Sequence, residues 1–347
     1  MTQLTIATTA SAAPMGAQLY EEEIVRRAGR ALGPDWEVKR AIVRSMRSEL
    51  PGNRRLPFSH LSRSPGLLRR VVGAALYQRT DLVHRMDLSL PPAPHEVVTI
   101  HDVVAWRFPD EAPPTPHAVI EARRAARIVC PSAFSAQEAV DLLGITDPVV
   151  IWNGVDDRFR DATPLSESEL AGLGVTEAPF VLHAGGASLR KNLQALAAAW
   201  PAIHDRHPEV TLVMSGPPNA RRDELFAALP GVIRIGRVAD RLIPGLMARA
   251  TAVVVPSLYE GFGLPAIEAM ATGAAVVAAD ASSLPEVCGD GAYLVEPTGD
   301  GIADGLRTVL AGGGEIDALR ERGRRRSREF SWDRSAEEHA AIWRSLA

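Results

Sequence analysis

The chain has 347 residues, of which 46% are hydrophobic and 23% are charged, and its formal net charge is −4. This balance is typical of a globular protein in water and gives no indication of a nucleic-acid partner. At this length, two domains of about 150–180 residues are the default expectation.

The two cysteines, Cys130 and Cys288, lie far apart and have no metal-ligand spacing around them. This usage predicts reduced thiols in a cytoplasmic protein. Residues 1–16 lack a basic flank and a leucine-rich run, so we expect no signal peptide. No apolar stretch reaches about 18 residues, so we also predict no membrane-spanning segment.

Short runs of β-branched residues alternate with helical patterns along most of the chain. In the first half the strand candidates lie at 4–8, 81–84, 96–102, 127–130 and 148–153. In the second half they lie at 179–185, 210–216, 231–236, 251–257, 274–280 and 292–297. Apolar strands separated by helices indicate parallel sheets covered on both faces. The polar stretch 156–174 divides the two series, which predicts two doubly wound α/β domains with a ligand cleft between them.

A second-domain stretch, VVVPSLYEGFGLPAIEAM at 253–270, changes from a strand pattern to a helix pattern halfway. Ligands of parallel sheets bind where a strand turns into its helix, and glycines at 261 and 263 permit close backbone approach there. The turn carries Glu260, and the new helix carries Glu268. Either glutamate alone could be a loop residue or a favourable charge near the helix N-terminus. Together with the glycines they indicate a ligand site.

A related pattern occurs earlier, in FVLHAGGASLRKNLQALAAAW at 180–200. A strand is followed by Gly185 and Gly186, then by the basic pair Arg190 and Lys191, then by a helix. The chain has 36 arginines and only two lysines, so a retained lysine is notable. The basic pair could be merely solvated. Alternatively, it could neutralise an anionic ligand, with Lys191 as a compact point charge beside the planar guanidinium of Arg190.

The segment PSLYEGFGLPAIEAMATGAAVVAADASSLPEVCGDGAYLVEP at 256–297 resembles the donor-binding signature of retaining GT-B glycosyltransferases of family 4. Two acids separated by seven residues mark that signature. The resemblance implies that Glu260 binds hydroxyls of the transferred sugar and that Glu268 binds the ribose of a nucleotide. Backbone amides of Phe262, Gly263 and Leu264 would meet the sugar and the diphosphate.

The resemblance extends to the other patterns. It implies that Gly185 and Gly186 allow close approach of the donor, and that Arg190 and Lys191 neutralise its diphosphate. TIHDVVAWRFPDEAP at 99–113 resembles the family's histidine–aspartate strand end, which implies that His101 lies near the transferred sugar.

Two further matches concern the ends of the chain. Gly16 takes the place of a flexible glycine loop beside the diphosphate, although a single glycine stands where the family has a run. The final helix resembles the family's closing helix, with Trp332 and Trp343 as anchors. The implied organisation is an acceptor-binding domain at 1–160, a nucleotide-sugar-binding domain at 161–330, and a closing helix at 331–347 that crosses back to the first domain.

The implied reaction is transfer of a sugar from a nucleoside-diphosphate sugar to an acceptor hydroxyl, with the anomeric configuration retained. The sequence has no Asp-x-Asp motif, so we predict no metal and no other cofactor. It also lacks the G-x-G-x-x-G motif that a dinucleotide oxidoreductase requires. A non-catalytic nucleotide- or sugar-binding homologue, a nucleotide-sugar epimerase and a sugar phosphorylase remain as alternatives. The base, the sugar, the acceptor and the linkage stay open.

The region 26–85 contains fourteen Lys or Arg residues and four Asp or Glu residues. Within it, SPGLLRRVVGAALYQR at 64–79 places apolar side chains near one helical face, beside Arg69, Arg70 and Arg79. An arginine-rich composition with a helix docked on the sheet explains this pattern without a partner. Alternatively, the region meets an anionic acceptor or the inner face of a membrane.

Overall fold

The structure is a computed structural model that describes residues 1–11, 16–61, 63–78 and 80–347. Part of the segment considered for a signal peptide (12–15) and two residues of the arginine-rich region, Ser62 and Arg79, lie outside the described residues. The chain forms two compact units, one of Met1–Gly154 with Ser331–Ala347 and one of Val155–Phe330. The second unit therefore begins six residues before the boundary that we predicted at 160/161.

The first unit is built on a parallel sheet. Its strands are β1 (Thr2–Thr9), β2 (Trp36–Ser45), β3 (Arg54–Leu56), β4 (Leu82–Arg85), β5 (Glu96–Thr99), β6 (Arg127–Cys130) and β7 (Val149–Val150). Its helices before residue 154 are α1 (Gly16–Leu32), α2 (Phe58–Leu61), α3 (Gly66–Leu76), α4 (Val104–Arg107), α5 (Ala118–Ala122) and α6 (Ala133–Leu143).

The second unit is built in the same way. Its strands are β8 (Phe180–Ala184), β9 (Thr211–Ser215), β10 (Val232–Gly236), β11 (Ala252–Val255), β12 (Ala275–Ala279) and β13 (Tyr293–Val295). Its helices are α7 (Asp157–Arg160), α8 (Glu167–Gly172), α9 (Leu193–His204), α10 (Ala220–Phe226), α11 (Ile243–Arg249), α12 (Leu264–Thr272), α13 (Leu284–Cys288), α14 (Gly299–Ala311) and α15 (Gly314–Ser327), with 3-10 turns at Leu189–Lys191 and Gly289–Gly291. The last helix, α16 (Trp332–Leu346), belongs to the first unit.

Both sheets are parallel and doubly wound. Within the described residues the first sheet has the strand order β3-β2-β1-β4-β5-β6-β7 and the second has the order β10-β9-β8-β11-β12-β13. The predicted fold class is therefore confirmed. In each sheet the strand order reverses once, between β1 and β4 and between β8 and β11, and such a reversal is where ligands of open α/β sheets bind.

The sequence patterns did not predict two of the strands, β2 and β3. Strand β2 pairs with β1 over eight residues, and β3 extends the sheet beyond it. In β2 the buried Ala41 and Val43 alternate with charged side chains such as Arg40 and Arg44. The predicted strands are continuous apolar runs, which are typical of strands buried on both faces. A strand near a sheet edge needs only one apolar face.

Pairing in three dimensions accounts for much of the arginine-rich region. Six arginines of this region form ion pairs with acids from outside it. The pairs are Arg26–Glu23, Arg27–Glu23, Arg30–Asp333, Arg40–Glu22, Arg69–Glu121 and Arg85–Glu96. Arg69, expected beside the apolar face of α3, is instead completely buried. The excess of positive charge counted in the sequence of 26–85 is therefore much smaller once these ion pairs are included.

Helix α16 packs on the first unit through buried aromatic side chains. Trp332 and Trp343 are both almost completely buried, and the side chain of Arg27 on α1 bonds to Asp333. Among the described residues, none of the helices combines the length and the apolar character that crossing a membrane requires.

Candidate functional site

The site lies at the edge of the second sheet where its strands have their carboxyl ends. Strands β8 and β11 are neighbours there, and the loops that follow them form the site. Strand β8 leads into Gly185 and Gly186 and then into the 3-10 turn that carries Arg190 and Lys191. Strand β11 leads into the loop that carries Glu260. The amide of Leu258 donates to the carbonyl of Arg190 at 2.8 Å, so the two loops are joined. Residues far apart in the chain meet here because the strands are neighbours.

Glu260 is the centre of the site. Lys191 Nζ donates to Glu260 Oε1 at 2.6 Å, and Arg190 Nη1 donates to Glu260 Oε2 at 3.1 Å. The hydroxyl of Ser257 donates to Oε1 at 2.7 Å. The carboxylate of Glu260 is only 6% exposed. Burial raises the pKa of Glu260, but the charges of Lys191 and Arg190 and the hydrogen bonds outweigh it and hold this pKa below its usual value.

Two residues that the sequence analysis did not connect with Glu260 fix its backbone. Ser282 Oγ accepts from the amide of Glu260 at 3.0 Å, and the hydroxyl of Ser283 donates to its carbonyl at 2.9 Å. Ser282 has φ +55°, a conformation that is costly for a residue with a side chain. Sequence patterns carry little signal for such contacts, because Ser282 follows Glu260 by 22 residues and a complete strand.

Asn192 holds the loops from the other side. Asn192 precedes α9, and its side chain makes no capping hydrogen bond to that helix. Its amide Nδ2 instead donates to the carbonyls of Pro256 and Pro297, at 3.0 and 2.9 Å. Asn192 also has positive φ, at +55°. Backbone strain on both sides of Glu260 indicates that the surrounding structure forces these loops into one arrangement.

The loop after β11 ends at Gly263, which precedes the first residue of α12, Leu264. Gly263 has φ +98°, and a Cβ there would lie 2.8 Å from Leu284, so only glycine fits. The ring of Phe262 packs against Phe330 with a centroid distance of 5.6 Å. The amides of Ala266 and Ile267 both donate to the carbonyl of Gly263, which leaves the amide of Leu264 at the start of α12 to bind an anion.

Glu268 lies one turn further along α12 and is partly buried. Burial raises its pKa to about 8, Arg158 opposes this shift, and Asp156 and Asp240 add to it. The two acids of the sequence motif thus differ in charge state near neutral pH. Glu260 is ionised and paired with cations, whereas the raised pKa of Glu268 favours its protonated form.

His183 lies in strand β8, two residues before Gly185. The sequence patterns did not indicate a role for it. It is buried, and its Nδ1 has no hydrogen-bond partner among the described residues. Burial lowers its pKa to about 3, and the nearby charges of Lys191 and Arg222 lower it further than Glu260 raises it. The imidazole of His183 is therefore neutral, chiefly because it is buried.

Two predicted site residues, His101 and Gly16, belong to the first unit. Gly16 is the first residue of α1 and is exposed. His101 follows β5, and burial lowers its pKa to about 4 against the opposing charge of Asp87. Its carbonyl accepts from Ser135 Oγ at 3.1 Å. Within the part of the chain that the structure describes, no three His, Cys, Asp or Glu side chains are grouped to hold a metal ion.

Comparisons with known proteins agree with this architecture. Residues 178–312 match the family described as "Glycosyl transferases group 1", and residues 20–159 match "Glycosyltransferase Family 4". Together these matches cover most of the chain. One structural neighbour is HepE from Anabaena, solved in complex with UDP-glucose, with a TM-score of 0.75, 21% identity and coverage of 100% of both chains.

Two relatives have assigned activities. The O-antigen chain mannosyltransferase B of Escherichia coli is 29% identical over 73% of this chain and 69% of its own length. The MMP alpha-(1->4)-mannosyltransferase of Mycolicibacterium hassiacum is 40% identical over 40% of this chain and 36% of its own length. With both family matches, these relatives and the shared two-sheet architecture, the protein belongs to the GT-B glycosyltransferases of family 4, also described as glycosyl transferases group 1.

Proposed function

We propose that the protein transfers a sugar from a nucleoside-diphosphate sugar to an acceptor hydroxyl, with retention of configuration and without a metal ion. The observation that carries this proposal is the contact of two cations, Arg190 and Lys191, with the single carboxylate of Glu260 at the strand-order reversal. Basic side chains at the end of two neighbouring strands can bind an anionic ligand such as a diphosphate. The relatives named as mannosyltransferases support the choice of a sugar transfer.

In this reaction the bond between the anomeric carbon and the diphosphate oxygen breaks, and its electron pair leaves with the diphosphate. Arg190, Lys191 and the amide of Leu264 stabilise the charge that develops there. The acceptor oxygen bonds to the anomeric carbon from the same face, and its proton passes to the departing phosphate oxygen. Attack from that face retains the configuration and requires no separate general base.

Glu260 has the capacity to bind the sugar while it holds both cations. Three hydrogen bonds reach its two oxygens, which together offer about four acceptor positions. A sugar hydroxyl takes the remaining position on Oε2. Glu268 accepts from the ribose hydroxyls once it is ionised, and His101 and Gly16 contribute from the first unit as the family resemblance implies.

A non-catalytic binding homologue is the main competing function, and an epimerase on the same fold is the next. A thermal-shift screen with UDP, GDP, ADP and dTDP, followed by donor turnover with the nucleotide that binds, distinguishes them. Ligand at 100 times its Kd stabilises the folded protein by about 2.7 kcal/mol. We expect one nucleotide to stabilise, its sugar to be transferred with retention as seen by NMR of the product anomer, and EDTA to leave transfer intact.

Three outcomes contradict parts of this proposal. Stabilisation without any transfer or donor hydrolysis identifies a binding homologue. An inverted product excludes the same-face mechanism. Loss of activity with EDTA that Mg²⁺ or Mn²⁺ restores excludes metal independence.

We further propose that α3 binds the anionic inner face of a membrane from the cytoplasmic side. Leu67, Leu68 and Val71 are 72%, 48% and 58% exposed, which is unusual for apolar side chains on one helical face. The neighbouring Arg63 and Arg70 are exposed as well. An apolar face flanked by arginines complements anionic lipid headgroups.

Sedimentation with anionic phosphatidylglycerol vesicles and neutral phosphatidylcholine vesicles at low salt tests this contact. We expect pelleting with the anionic vesicles alone, and its loss in the double variant Leu67→Ser with Val71→Ser. Leu142→Ser, at another exposed leucine of the first unit, is the matched control. Equal pelleting with both lipids, or with neither, leaves a soluble anionic acceptor as the remaining explanation of the arginine-rich region.

A further inference from the structure

A continuous chain of hydrogen bonds runs through the interior of the first unit. Trp343 Nε1 donates to His84 Nδ1 at 3.3 Å, and His84 Nε2 lies 2.8 Å from Thr99 Oγ1. Thr99 Oγ1 lies 3.0 Å from the hydroxyl of Tyr20, which lies 2.6 Å from His339 Nε2. The chain starts on α16, crosses β4, β5 and α1, and returns to α16.

Both ends of this chain fix the direction of every proton in it. His339 Nδ1 lies 2.7 Å from the carbonyl of Ser335, which can only accept, so Nδ1 carries the proton and Nε2 accepts from Tyr20. At the other end the indole of Trp343 can only donate, so His84 accepts at Nδ1 and donates from Nε2 to Thr99. The hydroxyl of Thr99 must then donate to Tyr20. Both imidazoles are neutral, because burial lowers the pKa of His339 to about 4 and that of His84 well below its usual value.

Tyr20 is therefore held by two hydrogen bonds at one hydroxyl, which fix the position of that oxygen and the direction in which the ring points. That ring meets the imidazole of His101 edge-on, with a centroid distance of 4.8 Å and an interplanar angle of 87°. His101 Nε2 is buried without a hydrogen-bond partner among the described residues. The aromatic contact is thus the interaction that sets how the His101 ring is turned.

We propose that Tyr20 is a positioning residue for His101, oriented by a hydrogen-bond chain that begins and ends on the C-terminal helix. The proposal rests on the sugar-facing role of His101 in the proposed function. Helix α16 then has two roles. It covers the core of the first unit, and it holds the side chain of Tyr20, which orients His101.

Thr99 allows the chain to be cut without changing either aromatic ring. Thr99→Val is isosteric and removes the hydroxyl, whereas Thr99→Ser keeps the hydroxyl and removes a methyl group. We expect Thr99→Val to lower kcat for sugar transfer roughly tenfold and Thr99→Ser to stay within about twofold of the wild type, because small misplacements of a reacting group are costly. We expect the KM for the donor to change less than kcat, since most of its proposed contacts lie in the second unit. Equal kcat values for the two variants overturn the proposal.

NMR of ¹³C-labelled histidine gives a readout that does not depend on activity. The ring current of Tyr20 sets the Cε1–H shift of His101, so Tyr20→Phe and Thr99→Val should both move that signal, assigned with His101→Gln. Tyr77→Phe is the matched control, since Tyr77 is a buried tyrosine of the same unit whose hydroxyl has no partner among the described residues. An unmoved His101 signal in Thr99→Val overturns the proposal. If the wild type transfers no sugar, the proposed function fails, and the NMR result alone decides whether Tyr20 positions His101.

Discussion

Each unit buries a cluster of basic side chains and glutamates, and the two clusters differ in their place in the fold. In the first unit Arg69 forms two hydrogen bonds with Glu121, and Arg85 forms two with Glu96. All four side chains are almost completely buried, and carbonyls such as that of Leu90 accept from the remaining guanidinium groups. Two cations and two acids cancel, so the cluster has no use for a further ion.

In the second unit Arg190 and Lys191 contact Glu260 at the end of two strands rather than between a sheet and its helices. The comparison teaches that burial and ion pairing do not by themselves mark a functional site. Basic side chains at a strand-order reversal do, because ligands of open α/β sheets bind at that edge.

The largest expected effect comes from unbalancing the first cluster. Glu121→Gln leaves Arg69 buried without its full counter-charge, which should lower the free energy of unfolding by about 3–5 kcal/mol. Denaturant unfolding measures this change. Glu37→Gln, which breaks the exposed Lys39–Glu37 pair of the same unit, is the control and should cost about 0–1 kcal/mol. Similar losses in the two variants would mean that the buried cluster is not a structural unit.

The second cluster should respond in activity rather than in stability. Lys191→Ala and Arg190→Ala should each lower kcat/KM by about 2–4 kcal/mol in transition-state free energy, because the diphosphate loses a stabilising charge. The fold should survive. Lys39→Ala, at the other lysine of the chain, is the control and should leave the kinetics unchanged. Near-normal activity of Lys191→Ala would end the assignment of this lysine to the diphosphate.

A smaller effect separates the two glutamates of the second unit. Glu268→Ala should weaken binding of the free nucleoside diphosphate about tenfold, or about 1.4 kcal/mol, by removing a ribose contact. Glu260→Ala should spare nucleotide affinity and damage sugar transfer. Calorimetry with the nucleotide alone compares them, and equal affinities of the two variants would contradict this division of roles.

A further expected effect is a pH dependence of stability. Burial raises the pKa of Glu268 and of Glu21, one in each unit, from 4.5 to about 8. Between these values the folded protein binds more protons than the unfolded chain, so the free energy of unfolding falls as pH rises and levels off above about 8. Glu268→Gln and Glu21→Gln should each reduce this slope in denaturant titrations at pH 5 and pH 8. An unchanged slope in both variants would show that neither carboxyl group is protonated in the folded state.

The sequence by itself determined the features that depend on local order. Alternating strand and helix patterns predicted two doubly wound domains, and the turn containing Glu260 and Gly263 predicted the family, since glycine, acid and helix start are all local requirements of such a turn. The assignment of roles to the site residues stays a prediction. It depends on ligand contacts, which only experiments with the donor can test.

The tertiary structure decided what depends on distant partners. Strand β2 was missed because its charged face is visible in the sequence while its partner β1 is not. The apparent charge excess of 26–85 shrank because Glu96, Glu121 and Asp333 lie elsewhere in the chain and adjacent in space. Ser282 and Asn192 were assigned to Glu260 and its loops only once neighbouring strands were known. Periodicity reports which face of an element is buried, and it carries no information about which distant side chain meets that face.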